Sequence, residues 1–347
     1  MNTCLILGGA GYIGRNWARR LAAHQSFDEI VAADLRPPSG ELPAGVRCVR
    51  CDVRLPLAAQ LGELHPRWIF NFAAVHREPG HEAAEYFDTN LAGARNACAY
   101  AEATGCANLL FTSSIAVYGP TRGATSETSP LYPQTPYGIS KHAAELIHEG
   151  WQRAGSGRRL LVCRPGVIYG PGDPGNILRM IRAVRGGYFM FPGSRTTLKS
   201  YGYIEGLLDS FEFMMSGLEA RATFNYVESE TEPLGRLVEL IQSHLGKKIP
   251  TLTVPMPALE TAAALMQLVT GGRSSLHPVR VRKAATSTHI VPEVLRKAGF
   301  EFRFGFERSL EHWSRQAPED FGLSVGIPSS SQRLTSPVSN DDTVLRP

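Results

Sequence analysis

A glycine-rich turn near the N-terminus constrains the fold more than any other feature of this chain. The stretch Leu7-Gly8-Gly9-Ala10-Gly11-Tyr12-Ile13-Gly14 separates a strand-like segment, Thr3–Leu7, from a helical pattern at Arg15–His24. Glycines at these spacings allow a tight turn, a close approach of the backbone to a pyrophosphate, and packing of the helix on the strand. The helix N-terminus then offers free N–H groups to the anion. A plain structural turn is the alternative, but the position directly after the first strand favours a dinucleotide-binding turn.

An acidic residue follows the second strand-like segment at the spacing expected for ribose recognition. Asp34 lies 20 residues beyond Gly14, where a carboxylate accepts hydrogen bonds from the adenosine ribose hydroxyls. A carboxylate there repels a 2′-phosphate, so we expect NAD as the cofactor rather than NADP. Arg36 is the residue that could reverse this preference. Asp52, at the end of the third strand, is either an adenine contact or the N-cap of a helix.

Strand and helix patterns alternate through the first half of the chain. Such alternation predicts a parallel sheet covered by helices on both faces. The strand-like segments are Thr3–Leu7, Glu29–Ala33, Arg47–Cys51, Trp68–Phe72, Asn108–Thr112 and Leu160–Arg164, with a late strand at Ala222–Val227. The helical ones include Glu82–Ala103, Asn176–Arg185, Tyr203–Ser216 and Leu234–Leu245. The expected fold class is α/β, a doubly wound Rossmann sheet with a smaller, mixed C-terminal substrate domain.

The rhythm of the pattern changes after Pro171, which suggests a domain division. We expect residues 1–170 to form the NAD-binding domain, with later contributions from about 198–228, and residues 171–316 to bind mainly the substrate. The tail 323–347 is rich in Ser, Pro and Asp and is predicted to be disordered. The most apolar helical segment, Pro257–Thr270, still carries polar residues, which favours a domain surface or a partner interface.

Composition excludes several classes of protein. The net charge of +4 is scattered, so we expect no nucleic-acid partner. We find neither a secretory signal nor an apolar stretch of membrane-spanning length. Six cysteines without a disulfide-rich pattern indicate a reducing compartment, and hence the cytoplasm. Cys48-x-x-Cys51 has no second ligand pair, so we interpret it as a strand with small buried thiols and expect no metal.

Two segments carry the residues expected to act chemically. One is Ser113-Ser114, just past the fifth strand, and the other is Tyr137-Gly138-Ile139-Ser140-Lys141, which opens a helix after Pro136. Residues four apart share a helix face, and an ammonium near a phenol lowers its pKa from about 10. Tyr137 can then exchange a proton with an alcohol or ketone near neutral pH, while Lys141 also holds the nicotinamide ribose. Ser114 would orient the same substrate oxygen. A surface helix pair is the alternative, which the glycine turn in the same chain disfavours.

Together these motifs resemble the extended short-chain dehydrogenase/reductase family, specifically its NAD-dependent epimerase/dehydratase branch. The resemblance runs from Thr3 to about Trp313. Its stretches are Gly8–Gly14, Asp34, Asp52-Val53, Asn71-Phe72-Ala73-Ala74, Asn90–Gly93, Ser113–Gly119, Tyr137–Lys141 and Arg164-Pro165…Tyr169-Gly170-Pro171. It implies that Ala73 and Ala74 line the cofactor, that Asn90 packs beside it and that Pro165–Val167 pass near the nicotinamide. The cofactor-binding set we expect is Gly8, Gly11, Tyr12, Ile13, Gly14, Asp34, Asp52, Val53, Ala73, Ala74, Asn90, Lys141 and Pro165.

The second half of the chain resembles the nucleotide-sugar members of this family. Asn176 is similar to an Asn that contacts the substrate diphosphate, and Lys199 stands where the family usually has Arg. A Lys there offers a point charge instead of a bidentate fork. The segment with Arg280 and Arg282 resembles the C-terminal part of bacterial polysaccharide nucleotide-sugar epimerases and 4-ketoreductases. We expect Ser114, Asn176, Lys199, Arg280 and Arg282 to bind substrate, with a solvated basic face as the alternative for the two arginines.

Two departures from the family pattern narrow the activity. Val167 stands where many sugar-nucleotide members have Asn, which puts that contact in doubt. Ile115-Ala116 stand where 4,6-dehydratases carry an Asp-Glu pair, so elimination of water has no obvious acid/base catalyst. We therefore reject a dehydratase.

Four functions remain, and the first is the one we favour. It is a nucleotide-sugar epimerase with bound NAD that acts through a 4-keto intermediate. The others are a nucleotide-sugar 4-ketoreductase, a hydroxysteroid-type dehydrogenase, which predicts an apolar pocket and usually a membrane anchor, and a non-catalytic NAD(P)-binding redox sensor. Relatives are often dimers, and Glu82–Ala103 with Lys141–Gln152 could form a homodimer interface.

Overall fold

The chain forms eleven strands and eleven α-helices within the residues described by the computed structural model, which are 2–37, 43–77, 80–121, 123–173, 175–270 and 278–323. The strands are β1 Thr3–Leu7, β2 Glu29–Asp34, β3 Val46–Arg50, β4 Pro66–Asn71, β5 Asn108–Thr112, β6 Arg159–Pro165, β7 Val167–Tyr169, β8 Met190–Pro192, β9 Tyr201–Tyr203, β10 Arg221–Tyr226 and β11 Leu252–Val254. The helices are α1 Tyr12–Ala23, α2 Ala58–Leu61, α3 Ala83–Thr104, α4 Pro136–Arg153, α5 Asn176–Arg185, α6 Ile204–Ser216, α7 Leu234–His244, α8 Met256–Val269, α9 Pro278–Ala285, α10 Glu293–Lys297 and α11 Phe306–Gln316. From residue 324 onward, the predicted disordered tail lies outside the described residues.

A seven-stranded parallel sheet forms the centre of the molecule. Its strand order is β10-β6-β5-β4-β1-β2-β3. The chain therefore runs outward from β1 to β3, then returns to the other side of β1 with β4. The carboxyl ends of β1 and β4 flank this reversal, which is where parallel α/β sheets bind their ligands. The predicted α/β Rossmann fold is confirmed.

Helices cover both faces of this sheet because its central strands are apolar on both sides. All five residues of β1 are buried, and so are the last six of β6. One core contains α3 and α4, where the small residues Ala94, Ala97 and Ala144 allow close packing. The larger core, on the opposite face, contains α1 and α6 and continues into the C-terminal helices around Trp313.

The C-terminal half contributes both to the sheet and to small additions outside it. β10 pairs with β6 in parallel, from Arg221 opposite Leu160 to Tyr226 opposite Pro165. Two further parallel pairs, β7 with β9 and β8 with β11, were not predicted because each strand has only three residues. Helix α8 and helix α9 pack against each other beyond the β8–β11 pair. In the described part of the chain, no helix combines the length and apolarity needed to span a bilayer.

Candidate active site

The glycine turn lies at the point where the strand order reverses. Gly8 has a φ of +79°, and a Cβ atom added there would lie 2.7 Å from the backbone nitrogen of Ala73, which follows β4. A Cβ on Gly14 would lie 2.2 Å from the carbonyl oxygen of Gly8. Both distances are shorter than any real contact, so a larger residue at either position would displace the backbone. The turn is therefore built from positions that only glycine can occupy.

The N-terminus of α1 fits a phosphate group. Gly11 is its N-cap, and no side chain caps the first turn. The early N–H groups, including those of Tyr12, Ile13 and Gly14, thus lie at the positive end of the helix dipole without a side-chain acceptor. The glycine turn leaves space beside the backbone, and the N-terminus of α1 leaves N–H donors free of side-chain acceptors. Both features match the pyrophosphate of a dinucleotide.

Asp34 ends β2 beside the same turn. Its Oδ2 accepts a hydrogen bond from the backbone of Ala10 at 3.1 Å, and its Oδ1 accepts one from the backbone of Arg36 at 3.2 Å. These two bonds fix the carboxylate at the rim of the glycine turn. Its place agrees with a role in holding the ribose, which stays a prediction.

Asp52 forms a local turn rather than a helix cap. Its carboxylate accepts from the backbone of Arg54 at 3.0 Å and pairs with the Arg54 guanidinium at 2.6 Å, which lowers the pKa of Asp52. Helix α2 begins only at Ala58, with Leu57 as its N-cap. The helix N-cap alternative for Asp52 was therefore wrong. Val53 is buried against Gly93 of α3, 3.2 Å from the position of an added Cβ there.

Asn90 fastens the loop that follows β4. Its amide exchanges two hydrogen bonds with the backbone of Val75, at 2.9 and 3.1 Å, and also donates to Ser140 Oγ at 2.9 Å. The loop with Ala73 and Ala74 is thereby held between α3 and α4. Asn90 thus fixes the loop after β4, and its place beside a cofactor stays a prediction.

Ser114 and Tyr137 come from the elements that sequence predicted. Ser114 lies two residues past β5, is buried, and accepts a hydrogen bond from the backbone of Ala116 at 3.1 Å. Tyr137 is the second residue of α4, whose N-cap Thr135 accepts from Gly138 at 3.2 Å. The Tyr137 ring lies 6.2 Å from that of Tyr86 on α3.

Lys141 joins these two elements. Its side chain is 2% exposed, and its Nζ donates to the carbonyl oxygen of Thr112, the last residue of β5, at 2.7 Å. The same Nζ lies 4.6 Å above the Phe111 ring. Burial lowers the pKa of Lys141 to about 7, against the opposing effect of Glu145. The Lys141 amine is thus held at the strand end next to Ser114, on the helix that carries Tyr137.

A buried ion pair beneath Lys141 was missed by sequence reasoning. Glu145, one turn further along α4, forms two hydrogen bonds with Arg164 of β6, at 2.9 and 2.7 Å. Arg164 also donates to the hydroxyl of Tyr118 at 3.0 Å, and Tyr118 donates to Asn225 at 2.7 Å. The network ties α4 to β6 and β10. An arginine inside the apolar stretch Leu160–Pro165 was the signal that could have revealed it, because a buried charge requires a partner.

His148 continues this buried layer as a neutral residue. It stacks on Phe111 at 4.2 Å, and burial lowers its pKa to about 4. Its Nδ1 lies 2.7 Å from the carbonyl of Ala144 and therefore donates, which leaves Nε2 to accept from Asn71 at 3.3 Å. The neutral ring adds no second positive charge below Lys141.

The other predicted substrate-binding residues lie on several elements. Lys199 Nζ donates to the carbonyl of Lys283 at 2.5 Å and to that of Thr286, so the structure brings Lys199 to the end of α9. Burial lowers the pKa of Lys199 to about 8. Arg282 is exposed and paired with Glu260 of α8 at 2.6 Å.

The two remaining substrate candidates sit at helix positions. Asn176 is the first residue of α5, where its Oδ1 accepts from Arg179 at 2.8 Å. Arg280 lies within α9, and its side chain is outside the described residues. Across the described ranges, His, Cys, Asp and Glu form no group of three able to hold a metal ion.

The glycine turn lies at the switch point of a parallel sheet. Ser114 follows the carboxyl end of β5, and Tyr137 and the buried Lys141 lie near the start of α4. This combination defines a Rossmann enzyme of the short-chain dehydrogenase type. The chain belongs to the NAD dependent epimerase/dehydratase family, whose model matches residues 4–225. The predicted family and the prediction of an NAD-dependent enzyme are therefore confirmed.

Curated relatives and solved structures agree with this assignment. The chain is 30% identical over 257 residues to N-acetyl-alpha-D-glucosaminyl-diphospho-ditrans,octacis-undecaprenol 4-epimerase of Escherichia coli O157:H7, covering 72% of this chain and 78% of the relative. It is 27% identical over 301 residues to UDP-glucose 4-epimerase 2 of Oryza sativa subsp. japonica, covering 74% and 72%. The structure of MoeE5 in complex with UDP-glucose and NAD superposes with a TM-score of 0.71 at 22% identity, covering 91% of this chain and 100% of that one.

Proposed function

We propose that this protein is an NAD-dependent 4-epimerase of a sugar attached to a diphosphate, with a nucleotide sugar as its soluble substrate. One observation carries the proposal. Lys141 is buried and held at the carboxyl end of β5, so that Ser114, Tyr137 and the cation share one end of the sheet with the glycine turn. The names of two relatives in the family, both 4-epimerases, support the reaction type.

Each side chain has a role that its position supports. When bound, NAD would supply the acceptor for the hydride from sugar C4, and inversion requires that the hydride return to the opposite face of the 4-keto sugar. Tyr137 would take the proton from the C4 hydroxyl and give it back to the 4-keto sugar, as a general base and then a general acid. Lys141 would stabilise the phenolate and hold the nicotinamide ribose, while Ser114 would donate to the same C4 oxygen. Asn176, Lys199, Arg280 and Arg282 are the proposed diphosphate contacts.

Dehydration is excluded from the proposal by the residues beside Ser114. Ile115 and Ala116 open a short 3-10 turn, and neither side chain can donate or accept a proton. A 4-ketoreductase would use the same Ser114, Tyr137 and Lys141. It differs in consuming one reduced cofactor per turnover, which an assay can detect.

The test supplies purified protein with UDP-hexoses and UDP-N-acetylhexosamines and only catalytic NAD. Interconversion of C4 epimers without net change in the absorbance of reduced nicotinamide is the expected result. Stoichiometric loss of reduced cofactor on a 4-keto sugar nucleotide, without interconversion, would replace the epimerase with a reductase. Turnover of a steroid alcohol alone would overturn the sugar-diphosphate proposal.

We also propose a cytoplasmic homodimer. All six cysteines are described and free, and five are buried, as suits a reducing compartment. Helices α3 and α4 pack side by side, and Leu146 of α4 is 56% exposed, so a second copy could bury it. Leu146→Asp should convert a dimer to a monomer in sedimentation velocity, and a wild-type monomer would contradict the proposal.

A further inference from the structure

Helix α8 presents an apolar surface that the described residues leave uncovered. Only Ala263 among its 14 residues is buried. Leu268 and Val269 are 80% and 81% exposed, and Leu265 and Met266 are about half exposed. The single charged residue of the helix, Glu260, pairs with Arg282 of α9 and so leaves the rest of the surface free of charge. Exposed contiguous apolar patches of this kind mark interaction sites.

The segment around α8 also carries net positive charge. Residues 246–285 contain six basic residues, Lys247, Lys248, Arg273, Arg280, Arg282 and Lys283, and one acidic residue, Glu260. Their formal charge is 6 − 1 = +5, whereas the whole chain carries +4, so all other residues together carry −1. The apolar helix thus lies within a stretch of the sequence that carries net positive charge.

This region adjoins the proposed diphosphate contacts. Helix α9 packs on α8, and the carbonyl oxygens of Lys283 and Thr286 at the end of α9 accept from Lys199. The apolar face is therefore one helix away from a residue proposed to hold substrate phosphate. A surface that binds α8 would therefore lie near the proposed diphosphate contacts.

We propose that the exposed face of α8 rests on an anionic phospholipid bilayer, with its apolar side chains in the interface and basic residues of the surrounding sequence segment against the lipid phosphates. A 14-residue helix is about 21 Å long, shorter than the roughly 30 Å hydrocarbon core, so α8 lies along the surface instead of crossing it. Apolar burial and attraction to anionic headgroups add in such helices. A second copy of the chain is a poorer occupant, since two segments of charge +5 would repel each other.

The consequence for substrate rests on the proposed function. A bilayer-bound epimerase would take a sugar whose diphosphate is anchored to a lipid, as in the name of the Escherichia coli relative. Lipid binding itself does not depend on that activity, so the two can be tested separately on the same preparation.

The experiment measures flotation of the purified full chain with vesicles of phosphatidylcholine alone and of phosphatidylcholine with phosphatidylglycerol. We expect binding to the anionic vesicles that weakens as salt is raised. Leu268→Glu should reduce the partition coefficient at least about tenfold, since it removes apolar burial and adds repulsion. Leu218→Glu is the matched control, because Leu218 is 99% exposed and lies outside the basic segment; it should change binding less than about twofold.

A second variant guards against misfolding of the first. Lys247→Glu/Lys248→Glu changes two exposed side chains outside any helix and should weaken binding by about tenfold or more, at roughly 1 kcal/mol for each lysine lost. Absence of vesicle binding, or equal binding by wild type and both variants, would overturn the proposal. The proposal would also be overturned if the wild type bound no vesicles and instead formed a concentration-dependent dimer in sedimentation velocity that Leu268→Glu dissociates. If Leu268→Glu still epimerises a UDP-sugar, the loss of lipid binding is separate from the reaction. If the wild type binds vesicles but epimerises no sugar, the docking proposal stands and the proposed function is wrong.

Discussion

Helix α4 and helix α9 both carry basic side chains proposed for the active site, but they hold them in opposite ways. Lys141 of α4 is 2% exposed and bonded to the end of β5, and the pair of Glu145 and Arg164 is buried below it. Arg282 of α9 has 68% of its side chain exposed and pairs with Glu260 on the neighbouring helix. The buried basic side chains are fixed by the fold, whereas an exposed pair can exchange its partner for a ligand at little cost. The proposed cofactor side is therefore preorganised, whereas Arg282, a proposed substrate contact, is adaptable.

The largest effect is expected from breaking the buried pair. Glu145→Ala leaves the Arg164 charge without its carboxylate and should lower the free energy of unfolding by about 3–5 kcal/mol. Glu149, one turn further along α4, pairs with Arg153 and Arg221 at the surface, so Glu149→Ala should cost less than about 1 kcal/mol. Urea denaturation of both variants measures the difference. Equal losses would show that the buried layer is not what holds α4.

Removing the Tyr137 hydroxyl tests the chemistry on the preorganised side. Tyr137→Phe should keep NAD binding and lose at least about a hundredfold in turnover, the usual scale for a general acid/base. Tyr132→Phe is the control, because that ring is 71% exposed. Near-normal rates in the Tyr137 variant would mean that another group moves the proton.

Lys141 should lower stability in a pH-dependent way. Its pKa is about 7 in the folded state and 10.5 ordinarily, so between these values the unfolded chain binds more protons and wild-type stability rises with pH. The cost of burying the charge is full below pH about 7. Lys141→Met should therefore be more stable than wild type by about 2 kcal/mol near pH 6, after allowing for the unpaired Thr112 carbonyl, and this gain should shrink toward pH 10.

Urea midpoints at several pH values check this, with Lys247→Met, an exposed lysine, as the control. The same variant should lose turnover and bind NAD more weakly. A pH profile of stability unchanged from wild type would show that Lys141 is not neutralised by burial.

Asp34, at the rim of the glycine turn, is expected to have a smaller effect, on the difference in affinity between NAD and NADP. Wild-type protein should bind NAD at least about tenfold more tightly than NADP, since Asp34 repels a 2′-phosphate; each tenfold is about 1.4 kcal/mol. Asp34→Ser should reduce the ratio of NAD affinity to NADP affinity, and Arg36→Ala should leave this ratio in favour of NAD. Calorimetric titration with both cofactors provides the measurement. Tighter NADP binding by wild type would show that Arg36 sets the preference.

The smallest effect is expected at the proposed substrate contacts. Lys199→Met should raise KM by about three- to tenfold with kcat nearly unchanged, as removal of uniform substrate binding does. Arg282→Ala should change KM less, because its guanidinium already has Glu260 as a partner. Steady-state kinetics with a UDP-sugar separates the two. A fall in kcat at constant KM for Lys199→Met would place Lys199 in the chemical step.

The spacing of apolar and capping residues along the chain predicted those helices whose ends are set by residues close in sequence. Helix α5 spans the residues predicted for it, and α3 is shifted by one. Helix α1 begins at Tyr12, three residues before the prediction, because Gly11 already serves as its N-cap. The short strands β7, β8, β9 and β11 could not be predicted, since three residues carry no period and form only where a partner strand is present.

The candidate site divides in the same way. The positions of Gly8, Gly14, Ser114 and Lys141 followed from motifs, because their spacing along the chain is also their geometry on a turn or a helix. The hydrogen bonds of Asn90 to Val75 and Ser140 span 15 and 50 residues, and no spacing rule reaches that far.

The sequence by itself determined the family, the parallel sheet, the glycine turn and the helix that places Tyr137 and Lys141 on one face. Only the tertiary structure decided that Arg164 meets Glu145, that His148 stays neutral beside Asn71, and that Lys199 reaches α9. The physical reason is range. Turn and helix geometry act over a few residues, whereas burial, ion pairing and pKa depend on which distant segments the fold packs together.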